Sequence, residues 1–459
     1  MLAVKGGMMT KRLGIFAALV FMFLAGFVVN RLSQVTAQPK QPAAPFAAVP
    51  GEKGGQDYLG AYEAVEGWPK PMSTIPGHDP KWGWSAVESI YAQNPNKVFI
   101  VQRGELPVLP ERFEPTVIAP SISFPISQSP WRNASQGANS AAPGGFGEMI
   151  DGERLPHYVL PADSVVYPTW KGKMGVDARW EHCIVVVDAQ GNILPETENW
   201  KQWDHLFAYP HSVQINPYDP EKHVWIVEAA RHMVYEFTND GKQLVKQLGT
   251  PNDPGDDKTH FNRPTFLAWL PEGTMFLTDG YYNTRIVKFD KNGNYLMQWG
   301  ERGKVYGMET RPGYLNIVHG IAIDPATRRI YVNDRGNRRI QVFDENGKFL
   351  DMWKTGTGEV GKEQSTIYSI YFSEGKVWAA DERTHRIIGY DTNGYLQYAW
   401  GGQGLFPGST DGIHGMSVDQ EGNVYLADLY QGRANKYRPR KGANPNYLLG
   451  KPLRVAWKD

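Results

Sequence analysis

What most constrains this chain is a pair of short apolar runs that recurs along it. The first runs are Val224–Glu228, Met275–Asp279, Ile330–Asp334, Val377–Asp381 and Val424–Asp428, each ending on an acidic residue. Four of them are followed by a second run that closes on Asn239-Asp240-Gly241, Lys291-Asn292-Gly293, Glu345-Asn346-Gly347 or Thr392-Asn393-Gly394, and the fifth by Ala434-Asn435-Lys436-Tyr437. A diverged copy comes first, Val98–Val101 and then Ile184–Val187 with Ala189-Gln190-Gly191. The Asn-Gly and Asp-Gly pairs suit tight hairpins, because both residues tolerate positive φ. Aromatic markers Trp225, Phe276, Tyr331, Trp378 and Tyr425 stand 47 to 55 residues apart, the length of a four-stranded blade. Such strands cannot bury an apolar face alone, so the copies must stack radially and close. The expected architecture is all-β: a six-bladed β-propeller over residues 81–459, with 15 tryptophans and 23 tyrosines supplying bulk between blades. An open sandwich offers no reason for one turn signature to recur at one spacing.

The flanking segments are different material. Lys5, Lys11 and Arg12 precede a 17-residue apolar run, Leu13–Val29, and Val35-Thr36-Ala37 resembles a processing site. Residues 1–37 therefore read as a signal peptide or a retained single-helix membrane anchor, and the body as exported, periplasmic or extracellular. Residues 38–80, rich in Pro, Gly and Ala, read as an extended arm. A long insertion in blade 1, about residues 107–180, reads as a loop layer or a contact surface for a protein of a membrane complex. Cys183 is the only cysteine, so no internal disulfide can form, and its apolar strand marks it as a buried residue rather than a reactive thiol. With 48 basic and 48 acidic side chains, nothing supplies the positive field that nucleic-acid binding needs.

Three histidines fall in register. Blade 2 begins Tyr209-Pro210-His211-Ser212, blade 4 Val318-His319-Gly320 and blade 6 Ile413-His414-Gly415, while the matching residues are Thr265 in blade 3, Tyr368 in blade 5 and a non-histidine near Val87 in blade 1. One imidazole in every second blade of a six-fold ring places three about 120° apart around the axis. That suits a zinc ion, with a fourth position left for water or substrate, although imidazoles accept other transition metals too. His205, His223 and His232 read as ordinary hydrogen-bonded residues. A second strand ends on the face where the innermost strand starts, so Arg103, Tyr281 and Arg335 overlook the same point. No glutamate suggests itself near the histidines as a general base.

The repeats resemble NHL repeats, and His211, Tyr281, His319, Arg335 and His414, in that order, resemble the lyase domain that converts peptidyl-α-hydroxyglycine to a peptide amide and glyoxylate. The similarity covers residues 84–440. It implies that His211, His319 and His414 hold zinc, that Tyr281 is the catalytic tyrosine, and that Arg335 and Arg103 are active-site arginines. The implied substrate is a small molecule or peptide with a carboxylate-bearing end. The family's acidic residue after the third histidine, tied to a structural calcium, is replaced here by Gly415, so calcium is not implied. The alternative is a noncatalytic exported propeller, an interaction platform or a subunit of a membrane-associated complex.

Overall fold

The computed structural model describes residues 47–50, 56–108, 149–150, 153–154, 179–303, 309–355, 366–404, 406–452 and 457. The leader or anchor expected over residues 1–37 and most of the blade-1 insertion lie outside them. Among the described residues no helix is long and apolar enough to cross a membrane.

Six antiparallel sheets surround one axis. Their innermost strands are Val87–Asn94, Pro210–Ile215, Pro264–Trp269, Val318–Asp324, Ile367–Ser373 and Ile413–Val418. Each packs on the next, and the last packs on the first, so the ring is closed. Blades 2 to 5 each run outward in chain order through four strands. Blade 1 has three, Val87–Asn94, Lys97–Gln102 and Ile184–Val187. One apolar cluster fills each gap between neighbours. Cys183 is fully buried in the cluster between blades 1 and 2, and burial pushes its thiol well up.

The repeated turn is built differently from the tight hairpin that its Asn-Gly pairs suggest. Asp290 Oδ1 accepts the backbone N–H groups of Asn292 and Asn294 at 2.9 and 2.8 Å, and Asp344 and Asp391 repeat this. Only the glycine takes positive φ, 87° at Gly293, and the register shifts beside it between Lys288 and Phe289. This is a capped turn with a glycine bulge, and the aspartate is as much its signature as the Asn-Gly pair.

Ring closure draws on the arm. Tyr62–Ala64 pairs with Arg433–Pro439 as the outermost strand of blade 6, so one blade is made from segments far apart in sequence. Tyr62 is fully buried, its ring 5.0 Å from that of Trp400, and its hydroxyl accepts the Leu449 N–H at 2.7 Å. Trp68 continues the arm over Tyr425 and donates to Asp188 O, joining blade 6 to blade 1. Removing a buried aromatic ring costs about 3–5 kcal/mol. Tyr62→Ala should lower the unfolding free energy by about that much in a urea titration, and a loss below about 1 kcal/mol would count against the arm as a structural strand.

Candidate metal centre

At the head of every inner strand the register with the second strand slips, around Glu88, His211, Thr265, His319, Tyr368 and His414. These are β-bulges, which take a residue out of the alternation of the sheet and re-aim its side chain. The six bulge residues form a ring in which histidine alternates with another residue type. The recurring acid at the end of each second strand holds the approach to this ring. Tyr209 N–H donates to Glu228, Asn262 to Asp279, Asn316 to Asp334, Thr366 to Asp381 and Asp411 to Asp428, at 2.8–2.9 Å. In blade 1 Gln102 does the same for Ser85 at 3.0 Å.

The intervening blades contribute through their backbones. His211 Nδ1 donates to Thr265 O at 3.0 Å, His319 Nδ1 to Tyr368 O at 2.5 Å, and His414 Nδ1 to Glu88 O at 2.7 Å. A carbonyl can only accept, so each Nδ1 carries the hydrogen and each Nε2 presents a lone pair. Ring centroids of the three imidazoles are 4.8, 4.8 and 5.0 Å apart. His211 Nε2 and His319 Nε2 face each other at 3.2 Å, although neither has a hydrogen to share. His414 Nε2 is buried with no hydrogen-bond partner. Nitrogens bound to one ion at 2.0–2.1 Å in tetrahedral geometry lie about 3.3 Å apart. The spacing and the buried lone pair of His414 Nε2 fit a metal ion. Burial pushes His211 down to about 3 and, with neighbouring imidazole and guanidinium charge, His319 and His414 well down, so all three are held neutral.

Glycine eases the close approach of strands at two places in this ring. A Cβ on Gly415 would stand 3.0 Å from Ser89 Cα and 3.2 Å from Glu88 O, and one on Gly320 would stand 3.1 Å from Ile370 N. The His-Gly pairs let the next inner strand come close enough for its carbonyl to receive the imidazole. Any side chain at 415 would have to push the neighbouring strand aside by a few tenths of an ångström.

Tyr281 brings its hydroxyl 3.2 Å from His211 Nε2 and 3.0 Å from His319 Nε2. Burial pushes this phenol up, while Arg335 and Arg103 pull it down. Arg335 donates to the Tyr368 hydroxyl at 2.9 Å and lies 4.0 Å from that ring. Arg103 is fully buried, stacked 3.5 Å over Tyr209 and ion-paired with Glu88. The two arginines are therefore not equivalent: Arg335 keeps some surface, whereas Arg103 would have to exchange Glu88 for a ligand. Phe266 packs against all three imidazoles and also lines a cavity of about 190 Å³ further along the axis.

A search for matching family models finds none. Among curated proteins the chain is 30% identical over 276 residues to peptidyl-glycine alpha-amidating monooxygenase A of Xenopus laevis, covering 58% of this chain and 28% of that protein. It is 34% identical over 280 residues to peptidyl-alpha-hydroxyglycine alpha-amidating lyase 1 of Drosophila melanogaster, covering 54% and 48%. It is also 32% identical over 194 residues to NHL repeat-containing protein 3 of Mus musculus, covering 39% and 54%. The chain is a six-bladed propeller similar to NHL repeat-containing proteins and to α-amidating lyases. The match spans about a quarter to a half of these relatives' length.

In this lyase-like propeller the structure gathers His211, His319, His414, Tyr281, Arg335 and Arg103 around one point. Sequence reasoning missed Tyr368, whose carbonyl, ring and hydroxyl all take part, although its register with the histidines was visible. It also found no glutamate nearby, whereas Glu88 Oε2 lies 3.1 Å from His414 Nδ1 and Glu382 is charge-coupled to Arg335 beside Tyr430. Those residues come from other blades, and no local motif marks them. His205 and His223 have the ordinary partners expected, Gln202 O and Asp219, and His232 accepts from Arg263 N. Crowding a packed backbone costs about 1–3 kcal/mol. Gly415→Ala should therefore lower the urea midpoint and weaken metal binding together, and unchanged values of both would refute the close-approach account.

Proposed function

We propose that the chain is a zinc-dependent lyase that cleaves the C–N bond of a carbinolamide such as peptidyl-α-hydroxyglycine, releasing an amide and glyoxylate. The observation that carries it is the phenol of Tyr281 within 3.2 Å of two imidazoles whose Nε2 lone pairs converge. The resemblance to lyases carrying that name supports the substrate class.

His211, His319 and His414 would hold the ion. Bound there, zinc would supply Lewis acidity toward the substrate hydroxyl and positive charge beside the phenol. Tyr281, as phenolate, takes the hydroxyl proton. The O–H electron pair becomes the new C=O bond, the C–N pair leaves with the amide nitrogen, and that nitrogen takes the proton back from the Tyr281 phenol, which restores the phenolate. Arg335 binds the substrate carboxylate and carries it through to glyoxylate. Arg103 sets the field around the phenol from its buried place beside Glu88, and Phe266 closes the axis beneath the imidazoles.

The test is metal analysis of purified protein together with glyoxylate release from a peptidyl-α-hydroxyglycine. His319→Ala should lose the axial ion and turnover. Tyr281→Phe should keep the metal and lose turnover by about 10²–10⁴-fold. Full metal content in wild type without glyoxylate release would remove the lyase assignment and favour the interaction platform.

A further inference from the structure

A second group of side chains converges outside the axial site. His78 lies on the arm, Glu105 on the stem where blade 1 enters its insertion, and His182 just before the third strand of blade 1. His78 Nε2 is 3.0 Å and His182 Nδ1 2.6 Å from the same oxygen, Glu105 Oε1. The three side chains are 1, 0 and 3% exposed, and their ligand atoms all lie within 4.8 Å of one another.

The surroundings fix Glu105 and His182 in this orientation. The backbones of Glu105 and Arg179 bond each other in both directions, at 2.7 and 3.0 Å, which clamps the two stems of the insertion together. Arg179 takes Glu105 Oε2 at 3.0 Å, leaving Oε1 to face the imidazoles. His182 is held at φ 53°, in the left-handed region, by Asp204, which accepts the His182 and Cys183 N–H groups at 2.7 and 2.9 Å. On the far side of its ring, His182 Nε2 points to Glu198 Oε1 at 3.4 Å. A ligating histidine whose other nitrogen donates to a carboxylate is the recurrent outer-shell pattern of protein metal sites.

We propose that His78, Glu105 and His182 form a second metal site, for a divalent ion of the zinc class, that fastens the arm and the insertion stems to blade 1. Two imidazole nitrogens and one carboxylate oxygen are a borderline donor set suited to zinc or cobalt(II). The side chains come from positions 27 and 77 residues apart in sequence, so an ion there ties three separate segments, including the arm that supplies the outer strand of blade 6. None of these residues belongs to the axial site, and the inference does not depend on the lyase reading.

The test uses the full chain, stripped with a chelator and titrated with cobalt(II), counting ions per chain by elemental analysis and following the visible ligand-field bands. Wild type should bind two ions. His319→Ala should bind one, with bands of a mixed nitrogen and oxygen site, and adding Glu105→Gln should remove it. Glu198→Gln in the His319→Ala background should raise the dissociation constant about 10–100-fold. Circular dichroism checks that the near-isosteric Glu105→Gln chain is folded. A folded His319→Ala chain that binds no cobalt, or one whose bound ion survives Glu105→Gln, overturns the second site. If the axial site were the one to fail, wild type and His319→Ala would bind the same single ion, still lost with Glu105→Gln.

Discussion

The site rests on one interaction made three times, an imidazole Nδ1–H donated across a blade boundary to the bulge carbonyl of the next inner strand. It fixes which nitrogen carries the hydrogen, and so it aims three lone pairs at the axis without any ion to organise them. The bond forms only if adjacent inner strands come very close, if the bulge turns the side chain inward, and if the ring is closed. Gly320 and Gly415 answer the first requirement, the register slips the second, and Tyr62–Ala64 the third. Fold and site are thus one construction. The acids that end each second strand belong to it as well, since they hold the loops leading into the bulges.

Much of this was legible in the sequence because repetition carries register. Once Val224–Glu228 aligns with Ile330–Asp334 and Val424–Asp428, His211, His319 and His414 fall at one repeat position, and a closed ring turns equal position into equal height. Tyr281 and Arg335 followed from the direction of the second strand. What stayed hidden depended on contacts between repeats or on segments outside them. Tyr62–Ala64 is too short and too embedded in Pro, Gly and Ala to read as a strand, and only its partner Arg433–Pro439 makes it one. Glu88 lies in a diverged blade without a histidine to mark the position, and His78, Glu105 and His182 are assembled by the fold alone. The Asn-Gly turn was found for a partly mistaken reason, since the aspartate cap and one left-handed glycine do the job given to two positive-φ residues.

Charge is distributed unevenly around the axis. Burial disfavours ionisation of the imidazoles and of Tyr281, while two guanidiniums favour a phenolate there. Arg103 is ion-paired with Glu88 inside the wall, and Arg335 donates to the Tyr368 hydroxyl within the field of Glu382 and Glu88.

The most direct measurement is a crystal structure of the zinc-loaded protein with anomalous scattering data collected on both sides of the zinc edge. The account predicts an axial peak bonded to Nε2 of His211, His319 and His414 at about 2.0–2.1 Å, with each Nδ1 still on the carbonyl of Thr265, Tyr368 or Glu88. An axial ion bound through any Nδ1, or an empty axis with the imidazoles turned away from one another, would contradict it.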